Sequence, residues 1–338
     1  MLFNKDNKGA EELRDRTGSY YANNKFDRIA TDVMLAEHAM IKLVGQEVYD
    51  RAHDHYQGSE YQLESPSAAQ KLNDDLVRML QIPIAYRATF NYYQSNIVSH
   101  EDAGRKVKLD PENEKMPWEW MLDRDDRAQV SKGNKTTDML ISWLEEKSIP
   151  EWADSENRTT ARSLFVYNEE IFQDAYPIDQ SPRFFYTTLA WNKEVQEREI
   201  KKALGSTYTD LLEYHIGFTT GSESGMSGIP SEQDEEMEEL LKLVQKAIPL
   251  LVMVKAVKRL SLQVLPEGVV QQFMSESQGR GASQAALLEV IKYQVKRLED
   301  DAEDIFDDVK LWLQRADPES GEFQLLPKNE ESDKFFRT

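Results

Sequence analysis

The chain has no cysteine. Disulfides, thiolate metal sites and cysteine nucleophiles are therefore all excluded. It has no long apolar run either. The longest, Ala247 to Val254, covers eight residues, well short of the roughly 20 that a membrane-spanning helix needs. Histidine is scarce, at five in 338 residues. Positive charge is outweighed: 41 Lys and Arg against 61 Asp and Glu leave a net charge of −20. Such a surface repels phosphate, which argues against a general nucleic-acid-coating role. No Gly-rich turn leads into Lys-Ser or Lys-Thr, and there is no Gly-x-Gly-x-x-Gly or Gly-x-Ser-x-Gly. The phosphate loop, the dinucleotide fingerprint and the nucleophile elbow are thus missing. The opening Met1 to Arg16 has neither the apolar centre nor the cleavage pattern of a secretory signal, so none is expected there.

Apolar residues at 40% and aromatics at 10% are enough to build cores. A chain of this length usually builds more than one. The organising stretch is Met237 to Leu260, where Leu240, Leu241, Val244, Ile248, Leu251 and Val252 recur at helical spacing. From Ala247 to Val254 the helix is apolar all round, which predicts a buried helix. Pro249 interrupts it and is expected to kink or split it. Leu72 to Tyr93 is similar, with Gln81 ahead of Pro83 as Gln245 is ahead of Pro249.

In chain order, residues 1–30 read as polar and irregular around a Leu2-Phe3 patch. Asp32 is the expected cap of a helix ending at Gly45, with a second helix through Val48, Ala52 and Tyr56. A loop covers 58–67. Asn96 to Leu109 reads as a β-hairpin turning at Gly104. Trp118 to Glu146 reads as one long helix, or two broken near Gly133. The pattern then restarts. Leu-Phe recurs at 164–165, Gly205 follows Gly45 by 160, and His215 follows His55 by 160. Gln245 follows Gln81 by 164, a second hairpin turns at Gly268, 164 after Gly104, and Trp312 follows Trp143 by 169. Ordered self-similarity of this kind marks repeated units. The predicted fold is mainly α: two similar helical-bundle units, residues 1–155 and 156–328, each with a small β-hairpin, and a polar tail at 329–338.

His53 and His55 are the only hint of a metal centre, yet side chains two apart on a helix point to different sides. The acidic run from Glu299 to Asp308 lacks calcium-loop spacing. Beneath it Ile291, Val295, Leu298, Ala302, Ile305, Val309 and Trp312 form a heptad seam, expected to pack within its own domain. No constellation calls for catalysis, and no cofactor or metal is expected. Aromatic and hairpin segments are the candidate interface, because aromatics are enriched at interface cores. The residues are Tyr20, Tyr21, Val98, Gly104, Val107, Trp118, Trp120, Phe184, Phe185, Val264, Gly268 and Val270.

Several segments carry a likeness: Leu2-Phe3-Asn4, Tyr20 to Asn24, Val44 to Tyr49, Met116 to Asp123 and Ile149 to Trp152. Together they resemble an uncharacterised family encoded in phages and prophages of Bacteroidetes. A helix reaching Val44-Gly45 or Leu204-Gly205, followed by Tyr49 or Tyr208, is similar to the small helical head–tail connector proteins of tailed phages. The chain is about twice as long as those, as a tandem duplicate would be. The resemblance implies a structural virion protein, an adaptor at the neck made in the bacterial host cytoplasm. It implies a homo-oligomeric ring, twelve copies to match a portal, touching the portal protein and a tail or second neck protein. DNA would pass through the lumen without specific binding, and no membrane would be involved. The competing readings are a cytoplasmic helical interaction module, such as an assembly chaperone or regulator, and an enzyme with an unrecognised site.

Overall fold

The protein is described by a computed structural model covering residues 1–18, 25–96, 99–101, 104–106, 118–220, 232–260, 262–265, 268–271 and 288–316. It is mainly helical, and none of these helices is long and apolar enough to cross a membrane. The chain divides into two compact units, Met1–Thr160 with Ser181–Tyr186, and Ala161–Gln180 with Thr187–Thr338. The segment Tyr20-Tyr21, Val98, Val107 and the tail at 329–338 lie outside the described residues.

The first unit opens on a non-helical arm, Met1–Asn4, and helix α1, Gly9–Thr17. The expectation of an irregular start is corrected here. Leu2 and Phe3 are core residues, and α1 has no broad apolar stripe, burying only Gly9 and Leu13. Helix α2, Ala30–Val44, starts after Ile29 with no side-chain cap, so Asp32 sits inside the first turn rather than capping it. Gly45, at φ 96°, ends α2 and begins α3, Gln46–Gln57. Only a residue at ease with positive φ joins two helices so tightly. Ser67 and Gln70 form a reciprocal capping box at the start of α4, Ala68–Ser95. Helix α4 runs unbroken through Pro83. A proline inside a helix costs ~3 kcal/mol. The flanking Leu80, Ile84, Ala85 and Ala88 are fully buried, and that packing offsets the cost. Strands β1 (Ser99–Glu101) and β2 (Gly104–Lys106) pair antiparallel, Gly104 opposite Glu101. Helix α5, Glu119–Glu146, is continuous across Gly133. Short helices α6, Pro150–Ala153, and α7, Glu156–Arg162, follow.

The second unit repeats that order. An arm at Leu164–Val166 precedes α8, Glu169–Ala175. Helix α9, Pro182–Val195, whose residues up to Tyr186 belong to the first unit, passes through a π-helical turn at Gln196–Ile200 into α10, Lys201–Leu204, which ends at Gly205 with φ 56°. Helix α11 is Thr207–Thr220, and α12, Glu232–Leu260, runs through Pro249 as α4 runs through Pro83. Strands β3 (Leu262–Leu265) and β4 (Gly268–Gln271) pair with Val264 opposite Val269 and Gly268 opposite Leu265. Helix α13, Leu288–Ala316, carries the heptad seam. Its Val295, Leu298 and Ala302 pack with Leu250 and Val254 of α12, inside this unit. Of the all-round apolar stretch of α12, Ala247, Ile248 and Val252 are fully buried and Leu251 only half-buried.

The two units hold their arms with the same device. In the first, the Leu2 N–H donates to Glu37 Oε1 of α2 at 2.6 Å, and Gln81 Nε2 of α4 donates to the Leu2 carbonyl at 2.6 Å. In the second, the Phe165 N–H donates to Gln196 Oε1 at 2.7 Å, and Gln245 Nε2 donates to the Phe165 carbonyl at 2.9 Å. By role, then, Leu2 matches Phe165, one residue off the Leu-Phe sequence match. Tyr208, 12 residues after Gln196, takes a bond from its amide. Tyr49, 12 after Glu37, hydrogen-bonds that carboxylate. The buried positions of α3 are Val48, Tyr49, Ala52 and Tyr56, and those of α11 are Tyr208, Leu211 and His215. His215 therefore occupies the place of Tyr56, not of His55 as the sequence offset suggested.

Candidate functional site

The residues best placed to meet a partner stand at the start of α5. Trp118 has extended backbone (φ −66°, ψ 145°) and provides no side-chain cap. Its ring is 70% exposed and that of Trp120 57% exposed, and Met121, Leu122 and Val130 are also exposed. From 118 to 136 no described side chain of the helix is buried. Burial begins at Thr137 and deepens at Leu140, Ile141 and Leu144. Burying an aromatic side chain is worth roughly 1.5–3 kcal/mol. Two tryptophans two positions apart, both left in water, are therefore a concentration of unused apolar surface. Farther along, Lys132 Nζ lies over the Tyr86 ring at 5.8 Å, where α4 and α5 draw together.

The C-terminal half of α5 is anchored. Asp138 Oδ1 accepts from Ser181 Oγ at 2.7 Å and from the Arg183 N–H at 2.9 Å, which caps the start of α9. That contact fixes the aromatic segment after Ser181. Phe184 is half-buried, its N–H donating to Ser181 Oγ at 3.1 Å. Phe185 is fully buried. The expectation of Phe185 as a contact residue is corrected, since its ring packs edge-on with Tyr186 at 5.2 Å and offers no surface. Tyr186 in turn packs against Trp152 at 5.3 Å. Gly104, Val264, Gly268 and Val270 lie in the paired strands. Trp118 and Trp120 remain, joined by Met121 and Leu122, which the sequence reading passed over. The available signal was their adjacency: four large apolar residues within five positions cannot all face one helix stripe.

The histidine cluster has a local explanation. His55 Nε2 lies 2.8 Å from Asp74 Oδ1, while His53 stacks on Tyr49 with ring centroids 6.0 Å apart. Among the described residues no three His, Asp or Glu side chains converge on a point that would hold a metal ion. Two buried titratable groups stand apart. Burial raises the Glu37 carboxyl, the Leu2 N–H working against that shift. Burial lowers the His215 imidazole, a bond to the Leu164 backbone opposing it. His215 sits against Phe165 and Tyr167 at 5.6 and 5.5 Å.

No curated protein and no solved structure matches the chain. One family model does, over residues 40–162 and again over 200–334. The second start lies 160 residues after the first, the offset between Gly45 and Gly205, so the two segments fall as a tandem repeat would place them. The chain belongs to the family of unknown function DUF6712.

Proposed function

We propose that this is a non-catalytic assembly protein, a structural virion protein of a tailed phage acting as a head–tail connector adaptor between portal and tail. The neck assignment rests on the sequence resemblance. The contact role is supported by one observation: the exposed Trp118, Trp120, Met121 and Leu122 at the start of α5. On this reading the two units are duplicates, each bearing a hairpin arm, and identical copies form a ring of twelve at the portal vertex. Closed symmetry lets one heterologous interface repeat without a free edge. A net charge of −20 per copy suits a lumen through which DNA passes ungripped and disfavours self-association away from a template. Mass spectrometry of purified particles tests the reading: the protein is expected at ring stoichiometry. A Trp118→Asp/Trp120→Asp chain should melt like wild type and fail to enter particles. Absence of the wild-type chain from particles would turn the assignment to an interaction module.

A further inference from the structure

Helix α5 carries a second regular stripe besides the one it buries. From Trp118, steps of 3, 4, 3, 4, 3 and 4 residues reach Met121, Asp125, Ala128, Lys132, Lys135 and Met139, the spacing of a coiled-coil seam. All seven are exposed, Trp118 at 70%, Met121 at 42% and Met139 at 45%. The stripe that α5 gives to its own unit is a different one. Thr137, Leu140, Ile141 and Leu144 are buried, and at about 100° per residue they sit roughly 100° to 160° around the helix from Met139. The exposed stripe runs for about 32 Å and faces away from the unit's core. Inward from its two ends it gives Trp-Met-Asp and Met-Lys-Lys, which meet at Ala128. Residues 118–139 hold five carboxylates and four cations, so this face carries only −1 of the chain's −20. Lys132 Nζ rests over the Tyr86 ring at 5.8 Å, but an exposed ammonium on its four-carbon stem can turn outward. Helix α13 supplies a comparison. At the offset of 169 it has exposed Asp301, Asp304 and Asp308 where α5 has Lys132, Lys135 and Met139.

We propose that two copies of this chain pair through these stripes, α5 against α5, antiparallel about a two-fold axis at Ala128. Antiparallel pairing sets Trp118 against the partner's Met139 and Met121 along the stem of the partner's Lys135. It sets Asp125 against the partner's Lys132, and the small Ala128 against its own copy. The axis repeats each of these contacts. The occupant is a second copy because the stripe complements itself in charge, each Asp125 meeting a lysine. Parallel pairing fails that test, since it puts Asp125 beside Asp125 and each lysine beside its like. The face of α13 fails it too, with aspartates in three of the matching positions. The proposal rests on reading the exposed start of α5 as a contact surface. It needs no ring, whose interface would be heterologous while this one is isologous.

The test is sedimentation velocity on the full chain over a concentration series, at about 0.15 M salt, where charges more than ~8 Å apart are largely screened. Pairing predicts a mass that climbs from 39.1 kDa towards twice that value. Asp125→Lys and Lys132→Asp should each weaken the dimer by at least roughly tenfold, because each turns two attractive pairs into repulsive ones. The chain carrying both changes should pair like wild type, since the charges are exchanged and still complementary. Both sites are exposed, so all three variants should melt like wild type. A monomer throughout the series would overturn the proposal, and so would a double reversal as weak as the single ones. The latter is also the result expected if the lysines met the aspartates of α13 instead. A chain that never pairs in solution yet enters particles sinks the pairing and spares the adaptor reading. A dimer that is missing from particles does the reverse.

Discussion

Gln81 and Gln245, 164 residues apart, donate the same hydrogen bond, each from Nε2 to the main-chain carbonyl of a buried arm residue. Gln81 is the more constrained, because its Oε1 also accepts from Arg16 Nε at 3.0 Å. Gln81→Leu should cost about 1–3 kcal/mol, the penalty for stranding a buried polar group. Gln245→Leu should cost less, since Gln245 is only half-buried. Urea midpoints at unchanged slope would measure both.

Glu37 and Gln196 perform one task with different charge. Burial raises the Glu37 carboxyl above its ordinary 4.5, so the folded state favours the protonated form. The sign follows: the contribution is fully present below the ordinary value and is lost as pH rises through the folded one. Glu37→Gln keeps an acceptor for the Leu2 N–H and copies the second unit. It should be at least as stable as wild type at pH 7, and lose that advantage by pH 4. Thermal melts at the two pH values decide this.

His215 works in the opposite direction. Its folded value lies below the ordinary 6.5, so the neutral ring is favoured in the fold. Its contribution is present above that ordinary value and is lost as pH falls from there through the depressed one. His215→Gln should flatten the decline in denaturant midpoint between pH 7 and pH 5. An unchanged slope would place the acid sensitivity elsewhere.

The centre of α12 gives a graded test. Val252 is fully buried and Leu251 half-buried. Val252→Asp puts an unpaired charge in the core and should cost at least ~4 kcal/mol, enough to abolish a cooperative melt. Leu251→Asp can turn its carboxylate toward water and should leave a folded, less stable protein. Equal damage from the two would contradict this orientation of the helix.

These residues also show how far the sequence could be read. The proline-containing helices were legible because apolar spacing survives a proline, and Gln81 and Gln245 stood out as polar residues inside that spacing. Helix α1 was not legible, since it buries only Gly9 and Leu13 and has no stripe to see. Asp32 looked like a cap, but α2 begins at Ala30 without one. Phe184, Phe185 and Tyr186 are three aromatics in a row, and adjacency says nothing about which one enters a core. The clamp was invisible because it joins side chains to main-chain groups dozens of residues away, and such bonds have no local spacing. The exposed start of α5 was half seen, through its tryptophans but not Met121 and Leu122.

The π-helical turn at Gln196–Ile200 bears on the spacing between clamp and helix end in the two units. Glu37 and Gln196 are 159 residues apart, but Gly45 and Gly205 are 160 apart. One extra residue therefore lies between the clamp and the helix-ending glycine of the second unit. In an ordinary helix it would swing everything after it by about 100°, pulling either Gln196 or Leu204 off the core. A single wide turn absorbs it instead, and both Gln196 and Leu204 remain buried. The additional residue of the second unit thus lies inside a helix and not in a loop. A helix can hold one residue more in a single wide turn, its contacts on either side still in step.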